Sequence, residues 1–169
     1  MSRKIAFVLV ALVLTASPAL AAGTSLVGWG PRVGLASDPD QITGGVHWDL
    51  GRIHSQLRFV PNVMLGFGDD QTILEATLPF HWMFDDVNAD FTPYAGGGLG
   101  IGWVHRDLPP QSNGDENDLE LALKAIGGME WRLKGNKDFF IEISLDFGDL
   151  HDFQAIAGWT FRTRSGRRP

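Results

Sequence analysis

Two histidines and a carboxylate, His47, Asp49 and His81, are the side chains of this chain best suited to holding a metal ion. They share one phase of a two-residue alternation, His47 and Asp49 in one segment and His81 two segments later. No His-x-x-x-His or similar tight spacing joins them. They therefore read as polar groups of a packed interior, and neither a metal site nor a cofactor is expected. His54-Ser55 is the one adjacent pairing of a base with a nucleophile. It falls in a predicted turn, and no catalytic set can be built around it, so no catalytic residue is assigned. Carboxylates crowd the predicted loops at Asp38, Asp40, Asp69, Asp70, Asp107, Asp115, Glu116, Asp118, Asp149 and Asp152. Oxygen donors of this kind suit Ca²⁺ or Mg²⁺. However, Asp115-Glu116-Asn117-Asp118 lacks the spacing of a calcium loop, and solvated loop carboxylates are the simpler reading.

A larger polar set shares the phase of the two histidines. It holds the cations Arg32, Arg58, Lys124, Arg132 and Arg162 and the anions Asp49, Glu75, Glu120, Glu130, Glu142 and Asp146. The two signs nearly balance. Charges taken out of water must pair or hydrogen-bond, so this set is expected to form a salt-bridged plug. The other reading is a narrow path for ions or small solutes, which requires the network to open.

The elements that position these residues are strands. From 119 to 133, Leu119, Leu121, Leu123, Ala125, Gly127, Met129, Trp131 and Leu133 fall in one phase; Glu120, Lys124, Glu130 and Arg132 fall in the other. Successive strand side chains point to opposite faces, so one face is apolar and the other charged. Eight such segments are expected at 25–36, 42–50, 55–67, 72–84, 91–104, 119–133, 139–147 and 153–162. Turns rich in Gly, Asn, Asp and Pro separate them, and the longest loop runs from Arg106 to Asp118. All six Trp fall in the apolar phase. So do Phe59, Phe67, Phe80, Phe84, Phe91, Phe139, Phe147, Phe153 and Phe161, whereas Tyr94 and Phe140 fall in the other. A soluble lipocalin-type barrel would expose all these aromatics to water. A barrel facing lipid places them in two interfacial girdles. Trp48, Trp82, Phe84, Phe91, Trp131, Phe139, Trp159 and Phe161 mark one and Phe67, Trp103, Phe147 and Phe153 the other, with Trp29 also a lipid-facing girdle residue.

The first 22 residues have the form of a cleavable secretory leader: Arg3 and Lys4, an apolar run over 5–14, and Ala19-Leu20-Ala21-Ala22. That run is about half of what a spanning helix needs. Removing Arg3 and Lys4 takes the basic residues from 14 to 12 against 20 acidic ones and the net charge from −6 to −8. An acidic exported chain is poorly suited to nucleic acid. It contains no cysteine, which excludes disulfides and lipid attachment to a cysteine. The expected organisation is a leader at 1–22, a barrel at 23–162 and a short basic tail at 163–169. Two features are awkward. Pro61 and Pro79 lie inside predicted strands, where ladder irregularities or bulges are expected. Gly28, Gly30, Gly34, Gly96, Gly98, Gly100 and Gly102 leave parts of the inner wall without side chains. Either arginines from neighbouring strands fill that space or a small polar cavity remains.

Phe91-Thr92-Pro93-Tyr94-Ala95-Gly96-Gly97-Gly98-Leu99-Gly100-Ile101-Gly102 resembles the aromatic-Pro-Tyr, glycine-alternating strand of small outer-membrane β-barrels related to the outer-membrane protein A barrel and porin-like domains. Phe153-x-Ala155-x-Ala157-x-Trp159-x-Phe161 resembles their closing assembly signal, although here residues 162–169 follow it. The resemblance implies an all-β fold: an eight-stranded antiparallel up-and-down transmembrane barrel with an apolar exterior. It also implies outer-membrane residence in a Gram-negative-type cell envelope, with both termini in the periplasm. Outer-membrane lipid, lipopolysaccharide and, during insertion, the barrel-assembly machinery are the expected partners. The chain is expected to be a monomer with a structural or surface-interaction role. A narrow channel and a lipid A-modifying enzyme are the alternatives.

Overall fold

The computed structural model describes residues 25–68, 71–85, 90–106, 117–148 and 150–163. The expected leader, loop residues 107–116 and tail residues 164–169 lie outside them. Nine strands are present: β1 Gly28–Ser37, β2 Gln41–Asp49, β3 Leu57–Phe59, β4 Asn62–Gly68, β5 Gln71–Met83, β6 Phe91–Arg106, β7 Asn117–Leu133, β8 Lys137–Gly148 and β9 Phe153–Arg162. β3 and β4 are two halves of one stave, so the wall has eight. Each stave pairs antiparallel with its sequence neighbours, and β1 pairs with β9 to close the barrel. Closure leaves no free sheet edge, the condition for strands to cross lipid. One end carries residues 25–28, Arg162 and the turns after β2, β5 and β7; we call it the terminal end. The other is the loop end.

The alternation decides which face is buried. Ile42 is 70% exposed, Leu121 66% and Phe147 63%, whereas Arg32, His47, Glu75 and Glu142 are each 4% exposed or less. The polarity of a soluble barrel is therefore inverted. At the terminal end aromatic rings run around the outside in contact: Phe91–Trp131 at 6.0 Å, Trp131–Phe139 at 5.8 Å, Phe139–Trp159 at 5.4 Å and Trp29–Phe161 at 6.0 Å. The register produces these contacts, because Trp131 lies opposite both Phe91 and Phe139.

The ladder irregularity expected at Pro61 and Pro79 is found, and two other expectations need correction. The stave expected at 55–67 is interrupted at Val60-Pro61 without a bulge: Phe59 pairs with Phe80, Asn62 pairs with Thr77, and the register runs straight through. The Trp48 amide donates to the Pro61 carbonyl at 2.9 Å, and the Val60 amide to the Pro79 carbonyl at 3.1 Å. Proline has no N–H to return either bond, so the ladder thins without slipping. Phe59 keeps its outward phase but is only 3% exposed, because its ring stacks on Phe80 at 4.8 Å. Finally, the longest loop is shorter than expected. Arg106 ends β6, and Asn117 and Asp118 begin β7, with His105 opposite Asn117.

Candidate functional site

The lumen holds its charged side chains in two polar groups with apolar residues between them. The first group lies toward the terminal end. Arg58 of β3 reaches Glu130 of β7 at 2.8 Å and Asp49 of β2 at 3.6 Å. Arg162 of β9 lies 3.6 Å from Glu130 and 2.5 Å from Asp138. Arg32 pairs with Glu142, which also accepts a bond from the Tyr94 hydroxyl at 3.0 Å and lies 3.7 Å from His81. His47 Nε2 bonds the Thr160 hydroxyl at 2.9 Å. Rings complete the packing: His81 stacks on Tyr94 at 4.6 Å and His47 meets Phe140 edge-on at 5.2 Å. Arg32, His47, Asp49, Arg58, His81, Tyr94, Glu130, Glu142 and Thr160 line what space remains. It leaves about 10 Å³ in which the centre of a water molecule can move, room for about one water.

The second group lies toward the loop end. Lys124 Nζ is 2.7 Å from Glu75 and 2.5 Å from Asp146. Glu75 also accepts from Thr77 at 3.1 Å and from Gln154 at 3.3 Å. Ile126 separates Glu130 from Lys124 along β7, and Ile156 separates Thr160 from Gln154 along β9. Ile156 clusters with Met64 and Phe140.

A cap closes the loop end, and the sequence reading missed it. Between β8 and β9, Leu150 and His151 turn into the barrel and are 0% and 2% exposed. Leu150 packs with Ile73, Val104 and Ala122. His151 lies 2.8 Å from Gln154, 3.3 Å from Gln41 and 3.9 Å from Asp146. Burial, opposed by the charge of Glu75 and reinforced by that of Lys124, lowers the His151 pKa to about 4. The ring is therefore neutral at pH 7. The Asp152 amide fixes this turn by donating to the Ser37 carbonyl at 3.1 Å. Leu150 and His151 sit in a short turn with no alternation to flag them. The signal was in the wall opposite: a Cβ on Gly102 would lie 2.1 Å from Leu150 Cδ2, and one on Gly100 would lie 2.7 Å from Glu75 Oε1. Those bare stretches of wall are occupied by side chains from elsewhere.

Of the polar residues assigned to the interior, Arg32, His47, Asp49, Arg58, Glu75, His81, Lys124, Glu130, Glu142 and Asp146 are buried. Glu120 sits at the loop-end rim, 2.5 Å from Arg106, which also pairs with Asp118. Arg132 needs correction: its phase is inward, but its side chain is 69% exposed. At that height β7 has passed the mouth of the barrel, and Arg132 touches only the near wall, with Nε 3.7 Å from Asp138. Asp138, buried at 1% exposure, was not assigned to the interior. His47, Asp49 and His81 do reach one cavity, where His47 bonds Thr160, Asp49 faces Arg58 and neither ring nitrogen of His81 makes a hydrogen bond, and among the described residues no cluster of three potential ligands could hold a metal ion. His54 Nδ1 lies 3.1 Å from the Ser55 hydroxyl on the exposed turn after β2. Asp69, Asp70, Asp107, Asp115, Glu116 and Asp149 lie outside the described residues.

The inverted polarity, closed meander and charged interior define a small transmembrane β-barrel. Among solved structures the chain is similar to the N-terminal β-barrel domain of OprF from Pseudomonas aeruginosa, with a TM-score of 0.63, 13% identity, and 83% of this chain and 100% of that one covered. It is equally similar to Neisserial surface protein A, NspA, with a TM-score of 0.63, 15% identity, and 83% and 99% covered. A de novo designed protein, TMB2.3, follows with a TM-score of 0.53, 15% identity, and 85% and 98% covered. At these identities the likeness establishes the fold. No family profile and no curated protein matches the chain.

Proposed function

We propose that the chain is an outer-membrane β-barrel protein with a structural or surface-interaction role, exported through a cleaved leader and inserted as a monomer. In this reading the terminal end faces the periplasm and the loop end faces outward, toward lipopolysaccharide and whatever the surface loops contact. The observation that carries the reading is the pairing of an apolar exterior with a filled lumen. A barrel built to conduct keeps a continuous wet path. Here Ile126, Met64 and Ile156 lie between the two polar groups and Leu150 caps the loop end, and the space left in the first group holds about one water. The eight-stranded size is just wide enough for side chains to fill. The leader, the two aromatic girdles and the similarity in fold to OprF and NspA support membrane residence.

The test has two parts. Extracted with mild detergent, the protein is expected to migrate faster unboiled than boiled on a gel. Reconstituted in a planar bilayer, it is expected to give no steady conductance. Solubility without detergent and no heat shift would overturn the membrane reading. Conductance that changes in Glu75→Gln or Arg58→Gln would replace the filled-barrel reading with a channel.

A further inference from the structure

We propose that the β7–β8 hairpin at the terminal end is a binding surface for the headgroup of an anionic phospholipid. The inference rests on the membrane reading and adds a ligand class to it. Arg132, Lys134 and Lys137 are all exposed on this hairpin, within three residues of a girdle aromatic: Arg132 follows Trp131 directly, Lys134 follows it by three and Lys137 precedes Phe139 by two. Lys137 Nζ lies 5.5 Å from the centre of the Phe161 ring, the residue it pairs with on the neighbouring strand. The carboxylate of this cluster is Asp138. It is 1% exposed and shared between Arg162 at 2.5 Å and Arg132 at 3.7 Å, so it balances only part of the charge and leaves Lys134 and Lys137 unopposed by it.

Position selects a lipid over other anions. The rings of Trp131, Phe139 and Trp159 form the girdle immediately below the hairpin. Girdle aromatics sit at headgroup level, which places the three cations at the height of the phosphates. Long basic side chains lay their stems along apolar surface and hold the charge in the headgroup layer, and an anionic leaflet attracts such groups. A free phosphate would find the charges but have no use for the rings. A phospholipid uses both, its acyl chains lying against the aromatics and its phosphate among Arg132, Lys134 and Lys137. The opposite rim has the other sign: Asp38, Asp40 and Asp152 are exposed there.

Native mass spectrometry of the full barrel tests this. The protein, in a neutral detergent, is mixed with equal amounts of phosphatidylglycerol and phosphatidylcholine, and the lipid adducts are counted. Wild type is expected to retain phosphatidylglycerol by about fivefold or more. Arg132→Gln/Lys134→Gln/Lys137→Gln is expected to lose that preference, and Lys134→Arg/Lys137→Arg to keep it. Arg52→Gln, at the same end but paired with Asp85 at 2.7 Å, is expected to keep it also. No preference in wild type, or a preference that survives the triple substitution, overturns the proposal. A heat-shift gel run on every variant separates the two readings. A normal shift without lipid preference rejects the lipid site alone, whereas no shift in wild type rejects the membrane reading and the lipid site with it.

Discussion

Arg58 and Glu130 meet at 2.8 Å across the full width of the lumen, one on the third strand and the other on the seventh. They are 72 residues apart in sequence and separated by β5 and β6 in the wall, so the contact exists only when the sheet curls into the barrel. Arg58→Ala leaves Glu130 and Asp49 buried without this cation. Breaking a buried pair in this way costs about 3–5 kcal/mol. Glu130→Ala is expected to be similarly harmful, and the double variant to cost clearly less than the two combined. Urea unfolding of the reconstituted barrel, followed by tryptophan fluorescence, checks it; strictly additive losses would count against a coupled pair.

The cap makes a second coupled prediction. Leu150→Ala removes a fully buried side chain and is expected to cost about 2–5 kcal/mol. Gly102→Ala places a methyl where Leu150 Cδ2 now sits, 2.1 Å away, and is expected to destabilise by about 1–3 kcal/mol. Together the two substitutions exchange volume across the same contact, so the double variant should recover part of both losses. Equal damage in the Gly102→Ala and double variants would mean that the clash lies elsewhere.

His151 gives a pH dependence. Its pKa falls from 6.5 to about 4 in the folded barrel, so the unfolded chain binds the proton more readily between those values. The stability it contributes is fully present above pH 6.5 and is lost as pH falls toward 4. Glu75, Lys124, Asp146, Gln41 and Gln154 surround the ring. His151→Gln removes the titration but keeps a hydrogen-bonding group. The stability difference between wild type and this variant is expected to move toward the variant as pH drops through that window. A difference that stays flat from pH 7 to 4 would contradict the assignment.

The outer face predicts the sign of a substitution that would be harmless on a water-facing surface. Leu123 is 55% exposed and near the middle of β7. In a bilayer, Leu123→Arg is expected to cost about 2–4 kcal/mol. On an ordinary soluble surface such a change stays within about 0.5 kcal/mol. Folding yield and urea stability in lipid vesicles distinguish the two.

The wall was legible because strand alternation has a period of two and lipid selects one phase. Trp131 and Glu130, adjacent in sequence and opposite in direction, carry that information by themselves. What alternation gives is direction, and it does not give depth or neighbours. Arg132 has the right direction but sits past the mouth, where no opposite wall exists to bury it. Phe59 points outward, yet the ring of Phe80 covers it. Leu150 and His151 belong to no strand, so their burial depends on a turn geometry that sequence periodicity does not encode. The partners in the lumen were also hidden. Five cations and six anions can be matched in many ways, and only the stagger of the closed barrel sets Arg58 against Glu130 and Lys124 against Glu75.

The prolines carry a consequence about hydration. Pro31, Pro61, Pro79 and Pro93 lie within three residues of a terminal-end aromatic, either along the chain or directly across the ladder. The pairing of β1 with β9 skips Pro31, and Pro61 and Pro79 each leave one bond unreturned. In the hydrocarbon a carbonyl deprived of its partner has nothing to replace it, whereas at headgroup depth water does. The barrel thus keeps its backbone gaps within reach of the aqueous phase on one side. Toward the other side its staves cross the apolar layer with no proline in them, and that dry half of the wall is where a newly introduced proline should be least tolerated.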